Sequence, residues 1–178
     1  MSEGTWFDDM NERFGDYQSR HVALISVGQQ ELVLFEDGDA IASYPVSTAV
    51  NGIGGEAGSE KTPSGIHYVR TKFGDGAEFG SVFRSRVLTG EVIEPELSPI
   101  STATDYVTSR ILWLSGLEEG VNQGAGRDSY SRYIYIHGTY EEGLIGQPAS
   151  HGCIRMLNSD VIDLYDRLPH KALVVITE

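Results

Sequence analysis

The sequence predicts a mainly β fold with few helices. Three observations carry that expectation. Apolar runs of strand length, broken by tight-turn residues, fill the stretch from His21 to Val46. Two more apolar runs close the chain, at Tyr133–Ile136 and Ala172–Ile176. Helical periodicity is clear once, where Val161, Leu164, Tyr165 and Leu168 fall at i, i+3, i+4 and i+7. A chain of 178 residues fits one domain and is long enough to bury a substantial core.

The elements follow in order. Thr5 to Phe14 reads as a short helix with Trp6, Met10 and Arg13 on the side that docks, so residues 1–20 form an N-terminal helical extension to a domain at 21–178. His21–Val27, Glu31–Glu36 and Ala40–Val46 read as successive strands. Asp37-Gly38 marks the second turn, because glycine readily supplies positive φ. Asn51–Ser59 carries four glycines and reads as a loop. Strands are expected at Gly65–Arg70 and Ser81–Leu88, with irregular chain from Arg86 to Ser101. The last strand, Ala172–Ile176, is apolar enough to be covered on both faces. Asn158 or Ser159 is expected to cap the helix before it, and Pro169 to end it.

Composition excludes several functions. Twenty-six acidic residues against 13 basic leave a net charge of −13, unsuited to nucleic acid or an anionic membrane, both of which need a cationic face. One cysteine rules out an internal disulfide and any all-cysteine metal cage. No apolar stretch approaches the ~20 residues of a spanning helix. The acidic N-terminus does not look like a secretory signal, so the expected location is cytoplasmic, or periplasmic if a leader has been trimmed away.

Three places invite chemistry. Gly55-Glu-Ala-Gly-Ser-Glu-Lys-Thr62 approaches a phosphate-binding loop, but Glu60 stands where glycine should precede the lysine and Pro63 follows where a helix should continue. It reads as a loop. His137, His151 and Cys153 are metal-ligand types, yet three are too few for a structural zinc site, and His151 and Cys153 are separated only by Gly152. No metal or other cofactor is expected.

The third place is Tyr135-Ile-His-Gly-Thr139 with Ser150-His-Gly-Cys-Ile-Arg-Met156. A lone cysteine is by default a small buried hydrophobe. Here its neighbours are polar and cationic, which favours thiolate. His137 ends a strand 16 residues upstream, near enough for a loop to return imidazole to sulfur, and the amides around Gly152 can face an oxyanion. The residues favour a cysteine acyl-transfer enzyme.

Those two segments resemble the signature of the L,D-transpeptidase (YkuD) catalytic domain. Lys61-Thr-Pro-Ser-Gly65 resembles the family's upstream turn, and the likeness runs from Val22 to Ile176. It implies a mixed β-sheet with sandwich-like packing and a cleft under a lid. It implies Cys153 as nucleophile and His137 as base, with its ring oriented by the Gly138 carbonyl, where the side chain is immaterial. His151, Gly152 and Cys153 would supply amides to the oxyanion. Ser150, Thr139 and Tyr135 are expected to contact substrate, although Ser150 and Thr139 equally suit bracing of loops, and Arg155 is expected to support substrate or a loop.

The resemblance further implies a peptidoglycan stem peptide or muropeptide as substrate, cut between the diamino acid and the terminal D-alanine through a thioester, and carbapenem-type β-lactams as covalent inhibitors. Acceptors are an amine, giving a cross-link or exchange, or water, giving a carboxypeptidase. The expectation here is an L,D-carboxypeptidase acting on soluble muropeptides. The other readings are a cross-linking transpeptidase and an inactive muropeptide-binding module. An anionic peptide needs cations within this acidic protein, and Arg70, Arg84, Arg86, Arg127 and Arg132 are the candidates.

Overall fold

The computed structural model describes residues 3–17 and 20–178, with side chains from residue 8 onward. Its ten strands are β1 (His21–Ser26), β2 (Glu31–Glu36), β3 (Asp39–Ser47), β4 (Gly65–Phe73), β5 (Ser81–Arg84), β6 (Val87–Val92), β7 (Val107–Gly116), β8 (Tyr135–Thr139), β9 (Ile154–Met156) and β10 (Leu173–Thr177). Helix α1 spans Glu3–Arg13 and α2 spans Asn158–Arg167. All ten strands form one sheet, ordered β4-β10-β1-β2-β3-β9-β8-β7-β5-β6. β7 also pairs with β4, so eight strands close into a ring with the β5–β6 hairpin outside it. The β1–β10 and β8–β9 pairs are parallel and the other strand pairs antiparallel, which makes the sheet mixed.

Alternation along each strand divides the sheet into an inner and an outer face. Ala23 and Ile25, Leu32 and Leu34, Leu112 and Leu114, Ile134 and Ile136, Ile154 and Met156, and Val174 and Ile176 share one apolar core. Helix α2 enters that core with Val161, Leu164 and Tyr165, followed by Leu168. Outside, Val22, Ile66 and Leu173 are covered by Met10 of α1. β10 thus has apolar cover on both sides, Leu173 outward and Val174 and Ile176 inward.

Several elements differ from the sequence reading, each for a local reason. Ser81–Leu88 is not one strand. Ser85 and Arg86 both have positive φ, at 47° and 65°, so a two-residue turn of the twist-compatible kind folds it into the β5–β6 hairpin. The region expected to be irregular after Arg86 therefore begins with β6. β7 has no strand signature in the sequence because Thr108, Ser109 and Arg110 interrupt its apolar pattern; a register shift there accompanies Ser109 at φ 66°, and all three side chains are buried. Neither Asn158 nor Ser159 caps α2. Leu157 is at the cap position, and the Glu142 carboxylate accepts from the Asn158 amide at 2.8 Å. Arg13, expected on the docking side of α1, is exposed and pairs with Asp9. The Trp6 side chain lies outside the described residues. Among the described residues, no helix is long and apolar enough to cross a membrane.

Candidate active site

β8 and β9 run parallel, with His137 paired to Arg155. Ile136 and Ile154 face the core, so the alternate positions Tyr135, His137, Cys153 and Arg155 face outward on one patch. The patch is adjoined by a cluster of Phe83, Trp113, Tyr130 and Tyr135 with Ile111, against which Cys153 packs.

The sulfur is held from two sides. Cys153 Sγ accepts from the Tyr135 amide at 3.3 Å and donates to the Tyr133 carbonyl at 3.3 Å. Burial pushes the thiol up to about 11; the Tyr135 amide, Arg132 and Arg155 act the other way, and Asp105 adds to the rise. The cations expected to favour thiolate are present, but desolvation outweighs them. The resting group is a thiol.

His137 is buried, with Nδ1 2.6 Å from the Gly138 carbonyl. A carbonyl can only accept, so Nδ1 carries the proton and Nε2 keeps its lone pair. Burial lowers its pKa below the usual histidine value, opposed by Asp105 and the Gly138 carbonyl and assisted by Arg155. The imidazole is thus neutral at pH 7. Glycine at 138 is not incidental, since a Cβ there would lie 2.5 Å from Thr108 O and 2.7 Å from Asn158 Oδ1.

The turn before the cysteine is braced from within. Ser150 Oγ donates to Cys153 O at 2.6 Å and accepts from Gly152 N at 3.2 Å. Gly152 has φ +133°, a conformation strained for any other residue. Thr62 joins the turn to the Thr-Pro-Ser-Gly segment: its hydroxyl donates to Gly152 O and accepts from Ala49 N, each at 3.0 Å. The sequence places Thr62 in a turn, and only the fold brings its hydroxyl to the Cys153 turn.

Ser150 and Thr139 are buried, Thr139 accepting from Glu141 N at 3.1 Å through its hydroxyl and from Asn158 Nδ2 at 2.9 Å through its carbonyl. Both brace the loops. Arg155 is 1% exposed and lies between Asp105 and Glu141, 3.1 Å from each, so it supports the patch from beneath. Tyr135 presents its ring to the aromatic cluster and its hydroxyl to Arg86 Nη1 at 2.9 Å. His151 is exposed and lines the cleft with Cys153.

That cleft, about 310 Å³, is lined by Cys153, His151, Ile134, Arg132, Glu60 and residues of two flanking loops. Of the five candidate arginines, Arg132 reaches it. Arg86 stacks over Trp113 at 4.7 Å, Arg70 over Tyr130 at 3.9 Å, and Arg127 lines the adjoining hollow and pairs with Glu56. Arg84 is exposed.

Residues 20–176 match the YkuD family, the L,D-transpeptidase catalytic domain. The chain belongs to that family. In the Bacillus subtilis putative L,D-transpeptidase YqjB, 47 residues are 44% identical to this chain, 26% of this chain and 27% of that protein. Mycobacterium tuberculosis L,D-transpeptidase 3, solved in complex with a faropenem-derived adduct, shares the fold with a TM-score of 0.55 at 17% identity, over 89% of this chain and 60% of that one. An Enterococcus faecium L,D-transpeptidase gives 0.53 at 15% identity over 89% and 50%. The chain thus spans well under two thirds of the relatives it matches. Among the described residues of this family member, no three His, Cys, Asp or Glu side chains are grouped to hold a metal ion.

Proposed function

We propose that this L,D-transpeptidase family member is a cysteine-dependent acyl-transfer enzyme of peptidoglycan metabolism. The observation that carries this reading is the shared outward patch of Cys153 and a neutral, carbonyl-oriented His137 beside an open cleft. The substrate is a murein stem peptide, attacked at the bond between the diamino acid and the terminal D-alanine. His137 Nε2 takes the thiol proton as Sγ bonds to the carbonyl carbon. The oxyanion is met by amides of the 151–153 turn, with His151 and Cys153 leading because Gly152 N–H is already given to Ser150. Collapse breaks the C–N bond, His137 returns the proton to the leaving amine, and a thioester remains. Carbapenems acylate the same sulfur.

Water is the proposed acceptor for soluble muropeptides, which makes the protein an L,D-carboxypeptidase in a cytoplasmic recycling role. An amine acceptor that nothing positions has a low effective concentration, whereas water is abundant. Purified protein incubated with a disaccharide tetrapeptide should yield tripeptide plus D-alanine by mass spectrometry. Cross-linked dimer without those products would overturn the hydrolytic assignment in favour of transpeptidation. Intact substrate and no carbapenem adduct would leave a binding module.

A further inference from the structure

We infer that Arg132 is the carboxylate anchor of the Cys153 cleft, selecting acyl donors whose leaving portion ends in a free carboxylate. The inference rests on the acyl-transfer reading only for the identity of the ligand; the anion site itself stands on Arg132.

The chain has twice as many acids as bases, so an arginine without a counter-ion is conspicuous. Arg13, Arg20, Arg127, Arg155 and Arg167 each pair with a carboxylate. Arg70, Arg86 and Arg110 lie over aromatic rings. Arg84 and Arg132 do neither among the described residues, and of these two Arg84 is exposed while Arg132 is half-buried in the wall of the cleft. Its Nη2 donates to Lys61 O at 2.7 Å and to Ser59 Oγ at 3.4 Å, and its Nη1 to Gly54 O at 3.3 Å. Neutral acceptors fix a guanidinium's position without cancelling its charge.

Its position is adjacent to the chemistry. Arg132 lines the same cleft as Cys153, and a Cβ built on Gly152 would lie 4.0 Å from its Nη2. Its Nε–H has no acceptor among the described residues, nor is that atom sealed from solvent. Glu60, the carboxylate lining the cleft, is exposed and forms no ion pair with it. Burial disfavours the charged form of Arg132; an ionised Cys153 sulfur would favour it, but the resting group is a neutral thiol. A bound carboxylate would supply the missing counter-charge, accepting from the Nε–H that has no other acceptor among the described residues. A carboxylate one residue beyond the scissile bond would lie beside the cysteine turn, whereas a longer leaving segment would carry its charge past it.

Because Cys153 is the sole thiol, alkylation reads this site alone. Rates with anionic iodoacetate and neutral iodoacetamide, followed by intact mass at low salt, give a ratio to compare with that of N-acetylcysteine. The wild-type ratio should exceed the free-thiol ratio by about tenfold and fall as salt rises. Arg132→Gln should return it to the free-thiol value, and Arg132→Lys should retain part of it. A wild-type ratio at or below the free-thiol value overturns the inference, whether or not the variants fold. So does a ratio unchanged in folded Arg132→Gln.

A second arm compares a stem tetrapeptide with its C-terminal amide. The amide should raise KM about tenfold in wild type, with a smaller effect on kcat, and the two should become equal in Arg132→Gln. Turnover without discrimination sinks the anchor and leaves the acyl-transfer reading intact. An alkylation preference without turnover of either peptide does the reverse.

Discussion

Two patches on the outer face of the same closed sheet are covered in opposite ways. On β1, β4 and β10, Val22, Ile66 and Leu173 are sealed by Met10 of α1 with Phe14 and Tyr17 alongside, an apolar seam. On β7, β8 and β9, the equivalent positions are Trp113, Tyr135, His137, Cys153 and Arg155, flanked by loops that leave a cleft. The inward positions beneath both are alike, aliphatic and buried. The difference shows where the fold tolerates cost. The first patch gives up apolar area to water-free contact and gains stability. The second half-buries a thiol and buries an imidazole and a guanidinium, each of which loses hydration, and holds the first two with main-chain groups and Arg155 with carboxylates.

Substitutions should separate the two patches. Cys153→Ala should abolish acyl transfer, by about 10³-fold or more, and eliminate the carbapenem mass shift while leaving the far-ultraviolet dichroism unchanged. His137→Gln should lower kcat by about 10²–10⁴-fold. The pH profile sharpens that expectation. His137 is held below the usual 6.5, so turnover should rise on an acid limb below that pH and stay level from 7 to 9. Alkylation of Cys153 should instead keep climbing beyond pH 9 toward about 11. Turnover that tracks alkylation would mean attack by free thiolate, not by a thiol that His137 deprotonates.

A smaller effect is expected at Thr62→Val, which keeps the shape but leaves Ala49 N–H and Gly152 O without their hydroxyl partner. Thermal or denaturant unfolding should show a loss of about 1–3 kcal/mol, and activity should fall roughly tenfold as the turn loosens. Met10→Ala, on the other patch, should cost a comparable ~1.5–3 kcal/mol with kcat and KM unchanged. Equal damage to activity would break the distinction between the patches.

Acid provides a probe of the scaffold linking them. His67 of β4 is buried, its Nε2 2.8 Å from Ser129 Oγ in the segment that leads to Arg132 and Tyr133, and burial lowers its pKa to about 4. Between about 6.5 and 4 the unfolded chain binds the proton and the folded chain does not. Stability therefore falls as pH drops through that window, by roughly 3 kcal/mol for this group. His67→Asn should flatten that slope in urea titrations.

The elements legible in sequence are those whose pattern is local. Strands β1 to β3 announce themselves by apolar runs and Asp37-Gly38, and α2 by its period. β7 and the β5–β6 turn do not. Ser109 and Arg110 find buried partners only in the folded chain, at Asn158, Gly80 and Ala77, and Ser85-Arg86 lacks the glycine that normally marks such a turn. Asn158 illustrates the same limit. Its type suggested a cap, yet it joins Thr108, Ser109, Thr139 and Glu142 in one network.

By itself the sequence determined the family, the mainly β class and the pair of segments that carry Cys153 and His137, because a contiguous motif is written in the chain. Tertiary structure decided the electrostatics. Near neighbours in sequence suggested a cysteine bathed in positive charge, but burial leaves it a thiol, and Arg155 is committed to Glu141 and Asp105 below. It also decided that the half-buried Arg132 has no carboxylate partner among the described residues, since ion pairing depends on residues far apart in the chain. Desolvation and charge pairing are sums over everything that folds nearby, and no linear spacing encodes that sum.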